Sequence, residues 1–137
     1  MNDWNEEKLR QLVQLRGRRD RIISVSDEER MLEEAVTRLD IPLHLARGIM
    51  LAAADAEGIE VESDIERATA AMIVAFGRKS RSISARDFET VAKFHAGRTN
   101  GSAEDSRKVV KRLARREGVA PQRDGILLST RWYRRIE

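Results

Sequence analysis

Residues 102–130, SAEDSRKVVKRLARREGVAPQRDGILLST, carry the clearest pattern in the chain. At about 100° per residue, Ser106, Val109, Val110, Leu113 and Ala114 fall on one side of a helix. Arg107, Lys108, Lys111, Arg112, Arg115 and Arg116 fall within the opposite half-turn. Ser102 stands at the N-cap position and Gly118 supplies a stop, so the spacing predicts a basic amphipathic helix over 103–117. Asp124-Gly125 then predicts a hairpin turn between 119–123 and 126–130. Past the turn, Ile126, Leu128, Thr130, Trp132 and Ile136 alternate as a strand would. Leu128, Trp132, Tyr133 and Ile136 are spaced equally well for a short helix, and both readings of 126–136 stay open.

Upstream, the same signals recur. Asp3 can cap a first helix bearing Leu9, Leu12 and Val13, with Glu6 and Glu7 in the turn where the helix dipole favours acids. Ile22, Ile23 and Val25 form a short apolar link. Ser26 with Glu29 is a capping box opening a helix that carries Met31, Leu32, Ala35, Val36 and Leu39. Asp40 caps a third helix, with Pro42 tolerated in its first turn and Leu43, Ala46, Ile49, Met50 and Ala53 on its apolar face. Ser63 with Glu66 opens a fourth, ending at Gly77, in which Thr69 is expected to bond back to its own backbone. Ile83 lies in a short extended piece before Ser84, whose helix carries Phe88, Val91, Ala92 and His95 and stops at Gly97. The expectation is a mainly α protein, a bundle of about six helices with a short C-terminal β-hairpin.

The bulk numbers agree with amphipathic helices. Of 137 residues, 41% are hydrophobic, 36% charged and 4% aromatic, with two prolines, a balance that favours helix over sheet. The absence of Cys removes disulfides, thiol catalysis and thiolate metal sites. The acidic N-terminus is not expected to act as a signal peptide, and the apolar run 70–76 is far short of the roughly 20 residues a membrane span needs. A cytoplasmic protein with no membrane partner is expected. Charge is unevenly divided: residues 1–77 carry a net −6 and residues 78–137 a net +9. That asymmetry suggests an acidic segment, 1–61, that dimerises or docks a protein, and a basic segment, 62–137, that meets a polyanion, though the two may also share one domain.

Residues 55–66 form an acidic connector. Asp55, Glu57 and Glu66 match calcium-loop positions, but Ile59 and Glu60 take the fifth and sixth, so the required sharp turn is missing. Over about 25 residues the stretch resembles the acidic inter-helix turn of tellurite-resistance B-like helical domains, with Ala56 and Glu57 separating Asp55 from Gly58. The resemblance implies a helical module whose acids hold a metal, a role not carried onto these residues. No metal or cofactor is expected.

From residue 62 the order is helix, short extended piece, helix, turn, basic helix, hairpin. Over about 75 residues this resembles the winged helix-turn-helix superfamily. The resemblance implies a recognition helix at 103–117 in a major groove, with Arg123, Arg131, Arg134 and Arg135 contacting phosphate or an adjacent minor groove. Glu104 and Asp105 stand where such helices usually read bases, and Pro121 confines the first arm of the hairpin to a sheet edge. Catalysis is not expected. His44 and His95 are far apart, and there is no phosphate loop, metal-binding His pair or serine elbow. Two readings follow: a small regulator that binds duplex DNA through Arg107, Lys108, Lys111, Arg112, Arg115, Arg116, Arg123, Arg131 and Arg134, or a helical adaptor whose basic face meets an acidic protein.

Overall fold

The computed structural model describes residues 3–123 and 129–137. It divides into two units, Met1–Asp64 and Ile65–Glu137. The first holds α1 (Asp3–Gly17), β1 (Ile22–Ile23), α2 (Val25–Thr37), α3 (Leu43–Ala56) and β2 (Glu60–Val61). Next come α4 (Glu62–Phe76), β3 (Ser82–Ile83), α5 (Ala85–Thr99), α6 (Ala103–Arg116), β4 (Ala120–Pro121) and the one-turn α7 (Arg131–Arg134). The described residues are thus mainly helical.

The second unit repeats the first at a constant interval of 60 residues, without insertion or deletion. β1 pairs in parallel with β2, Ile22 beside Glu60 and Ile23 beside Val61; β3 pairs in parallel with β4, Ser82 beside Ala120 and Ile83 beside Pro121. Left-handed backbone recurs at matched places: Arg21 and Arg81 (φ 59° and 54°), Asp40 and Asn100 (54° and 55°), Gly58 and Gly118 (67° and 71°). An arginine in this region is strained by about 1–2 kcal/mol. Here it closes the preceding helix, since the Arg21 and Arg81 amides donate to the Gly17 and Gly77 carbonyls at 2.9 and 2.8 Å.

Each unit has its own core. In the first, Leu9 and Val13 of α1 meet Ile23, Met31, Leu32, Ala35, Met50 and Ile59. In the second, Ile73, Ile83, Phe88, Val91, Ala92, Val110, Leu113 and Val119 form the core. Leu32 and Ala53 of one core become Ala92 and Leu113 in the other, an exchange of large for small that keeps the summed volume. Glu28, 4% exposed with Oε1 lacking a hydrogen-bond partner, stands where the second unit has Phe88. Phe88 meets Trp132 and Tyr133 edge-on at 5.3 and 5.9 Å, which is how the tail is held to this core.

Several expected boundaries move. The cap of α2 is Ser24, whose Oγ accepts from the Asp27 amide at 3.1 Å, because the strand ends there and not at Ser26. Asp40 takes left-handed backbone in the turn, and α3 begins after Pro42 with no side-chain cap. α4 begins at Glu62, so Ser63 lies inside its first turn and its Oγ has no partner. α5 runs through Gly97 to Thr99, closed by Asn100. Ser84 and Ser102 do cap α5 and α6, and Thr69 Oγ1 donates to the Ile65 carbonyl at 2.6 Å. Of the expected hairpin, the turn at Asp124-Gly125 and residues 126–128 lie outside the described residues. The first arm contributes β4, which lies beside β3 in parallel. Pro121 fits because the donors to β3 are the amides of Ala120 and Gln122, to Arg81 and Ile83 carbonyls at 2.9 and 2.8 Å. The described part of the tail, 131–134, is helical.

The units close by near contact of glycine with the chain entering the second strand. A Cβ on Gly17 would lie 2.5 Å from Ile59 Cδ1, whereas one on Gly48 inside α3 would meet nothing within 4 Å. Gly17→Ala should therefore cost about 1–3 kcal/mol, and Gly48→Ala should gain about 0.5–1 kcal/mol. Urea unfolding of both variants checks this; equal midpoints would contradict the packing described.

Candidate nucleic-acid interface

Helix α6 forms as its sequence demands. Ser102 Oγ accepts from the Asp105 amide at 3.0 Å, and Glu104 and Asp105 suit the positive end of the helix dipole. Ser106, Val110, Leu113 and Ala114 are buried, and α6 packs on α5. Inside that contact His95 Nδ1 and Ser106 Oγ are 2.8 Å apart. The matching residues of the first unit are Ala35 and Ala46. With His95 6% and Ser106 1% exposed, the pair is a buried hydrogen bond between α5 and α6. His44, expected at a core edge, is exposed.

The six cations of α6 do not share one fate. Arg107 donates twice to Glu89 of α5, at 2.5 and 3.3 Å, and that bond raises its pKa above the ordinary arginine value. Lys111 Nζ donates to the Tyr133 carbonyl at 3.1 Å and to the Ile136 carbonyl, and lies 4.8 Å from the Tyr133 ring centroid. It is the bolt that fastens α7, a cation at the negative end of a short helix. Arg112 reaches Glu66 of α4 at 2.8 Å, and Arg116 reaches Glu117 at 3.2 Å. Lys108 and Arg115 form no ion pair among the described residues. Lys108 borders a cleft of about 420 Å³ also lined by Glu89, Glu104, Arg107, Arg135, Trp132 and Ile136. Arg123, Arg131 and Arg134 are exposed, with no ion pair among the described residues. Trp132 is half-buried, its Nε1 donating to the Gln122 carbonyl at 2.9 Å. The expected unbroken cationic face is therefore interrupted: α5, α4 and α7 each engage part of it.

A denser group of cations lies around the basic loop 78–82, which the sequence allows equally as a phosphate-contacting loop or a solvated connector. The β3–β4 pairing sets the loop after α4, with exposed Arg78, Lys79 and Arg81, against the last turn of α6. The Ala120 amide donates to the Arg81 carbonyl at 2.9 Å, and a Cβ on Gly77 would lie 3.0 Å from Val119. Arg78, Lys79, Arg81, Arg115 and Arg116 thus emerge from adjoining backbone, with Glu117 the one nearby acid on these two segments. The first unit provides the comparison. There the matching loop, Arg18, Arg19, Asp20 and Arg21, faces Asp55, Glu57 and Glu60, and the Arg21 guanidinium donates to the Glu57 carbonyl. One corner is balanced; its counterpart is strongly positive. The signal was present in the chain, as Gly-Arg-Arg-Asp-Arg-Ile-Ile-Ser from Gly17 and Gly-Arg-Lys-Ser-Arg-Ser-Ile-Ser from Gly77, but only comparison of the chain with itself reveals it.

Among the described residues, no group of three or more His, Asp or Glu is placed to hold a metal ion, and no helix is long and apolar enough to cross a membrane. Comparison of the chain with protein-family models, curated proteins and solved structures found no match.

Tyr133 gives this corner a reporter. Burial pushes its pKa above the ordinary value of 10.0, more than the neighbouring Arg115 lowers it. Because the folded value is raised, the neutral phenol contributes stability that is complete below about pH 10 and is lost as pH rises through the folded pKa. The chain has a single tyrosine. Its absorbance titration should show a midpoint above 10 in the native protein and near 10 in concentrated urea; identical midpoints would contradict the burial.

Proposed function

We propose that this chain is a small nucleic-acid-binding protein that grips a phosphate backbone with the cationic corner of its second unit. The observation that carries the reading is the contrast between matched corners of one repeated frame. In the first unit three cations stand with four acids, one of them Asp20 of the loop itself; in the second five cations stand with one acid. Clustered like charges repel, and the C-terminal ends of α4 and α6 offset only part of that through their dipoles. A polyanion relieves the rest, releasing its counterions as it binds. Duplex DNA is the ligand proposed, with Lys108, Arg123, Arg131 and Arg134, outside the corner, as the further candidates for phosphate contact.

The succession of helix, short strand, two helices and short strand supports a winged-helix-like reading of residues 62–137, with α6 set against a groove. Glu104 and Asp105 in its first turn, and the internal engagement of Arg107, Lys111 and Arg112, favour backbone contact over base reading. The proposed role is therefore that of a regulator with weak sequence preference.

Fluorescence anisotropy with a labelled duplex tests this. With about five phosphates contacted, log K against log[salt] should slope at about −4.5. Arg78→Glu with Lys79→Glu and Arg115→Glu should reduce that slope by about three, while Arg18→Glu with Arg19→Glu should leave it unchanged. Circular dichroism verifies that both variants stay helical. A flat salt response, or equal losses in the two variants, would favour the adaptor reading, in which the cations meet an acidic protein.

A further inference from the structure

We propose that Ser80 is a phosphorylation site, and that a phosphate there closes the cationic corner to other polyanions. The inference starts from a difference between the matched loops. Position 80 of the second unit corresponds to position 20 of the first, where Asp20 stands between Arg19 and Arg21; Ser80 stands in the same way between Lys79 and Arg81. Both residues are exposed, and each precedes an arginine with left-handed backbone, at φ 59° and 54°. The frame therefore accepts a negative side chain at this place, and in the first unit it carries one permanently. In the second unit the same place holds a hydroxyl, which a phosphoryl group makes negative and hydrolysis restores.

Serines stand at 80, 82 and 84, and their surroundings single out the first. Ser84 Oγ is spent as the cap of α5, accepting from the Asp87 amide at 3.1 Å. Ser82 is half-buried in β3, its Oγ accepting from Gln122 Nε2 at 3.2 Å and lying 2.7 Å from Ser80 Oγ. Ser80 is exposed, and among the described residues its side chain bonds only to Ser82. Arg78 and Lys79 before it and Arg81 after it suit a serine kinase whose peptide groove carries carboxylates. In the transfer, Ser80 Oγ attacks the γ-phosphorus of a nucleoside triphosphate. The new Oγ–P bond replaces the bond to the β,γ-bridging oxygen, nucleoside diphosphate leaves, and the hydroxyl proton passes to a carboxylate of the kinase. The product carries a charge of about −2 beside the cations of its own loop and those of Arg115 and Arg116, which the β3–β4 pairing sets against that loop. Five cations and one acid give the corner a net +4, which the phosphate lowers to about +2. The effect on duplex binding rests on the nucleic-acid reading; the modification site itself does not.

The full chain, incubated with ATP and the catalytic subunit of a serine kinase that selects basic residues before its target, should take up about one phosphate, mapped to Ser80 by mass spectrometry. Ser80→Ala should abolish the uptake. In the purified phosphoprotein, phosphorus NMR should give a second phosphate pKa below that of the phosphorylated peptide 76–86, because only the folded chain adds Arg115 and Arg116. With a labelled duplex at about 50 mM salt, phosphorylation should raise Kd about tenfold or more and shrink the slope of log K against log[salt] by about two. Ser80→Asp, which writes the first unit's residue into the second, should shrink the slope by about one, and Ser80→Ala should leave it unchanged. Uptake at Ser82 or Ser84 in place of Ser80, or none in the native chain, overturns the site. Phosphate on Ser80 with duplex affinity unchanged overturns its effect. A flat salt response in the unmodified chain, with uptake at Ser80 and the lowered pKa both found, defeats the nucleic-acid reading and leaves the site standing.

Discussion

Two backbone hydrogen bonds organise this molecule: the Glu60 amide to the Arg21 carbonyl, and the Ala120 amide to the Arg81 carbonyl. Each ties the loop after a unit's first helix to the chain leaving its third. The strands so formed are only two residues long, so their strength comes from the buried Ile23 and Ile83 and not from ladder length. Bringing the two segments together forces glycine at 17 and 77, where Ile59 and Val119 leave little or no room for a side chain. It also forces left-handed backbone at Arg21 and Arg81, since the chain must reverse within a few residues of the helix end. Charge follows geometry: whatever the loop carries is set against whatever the third helix carries in its last turn.

The repeated frame makes each unit a control for the other. Positions that hold the frame keep their character: Gly17 and Gly77, Ile23 and Ile83, Ser24 and Ser84, Asp27 and Asp87, Gly58 and Gly118. Positions that fill the core vary in compensated ways, as in the Leu32–Ala53 and Ala92–Leu113 exchange, or Ala35 and Ala46 against the hydrogen-bonded His95 and Ser106. Surface positions diverge freely, and there the units take opposite signs, −6 for residues 1–64 and +9 for residues 65–137. The backbone frame is the same under both signs. A net charge of this size on one unit sets what that unit attracts, and the two units attract opposite partners.

Local order was legible in the residues. The amphipathic stripe of α6, the serine caps of α5 and α6, the return bond of Thr69 and the dominance of helix all follow from interactions within a few positions along the chain. The cap at Ser24, the run of α5 past Gly97 and the parallel pairing of β4 with β3 were not legible. Each depends on a segment far away in sequence supplying a strand partner or a packing surface. The same reason governs the charges. A helical wheel sorts six cations of α6 onto one side, and that much is intrinsic to the 3.6-residue turn. Whether each cation then meets Glu89, a carbonyl of α7, Glu66 or open water is decided by which elements fold against it, and only the tertiary structure sets those neighbours in place.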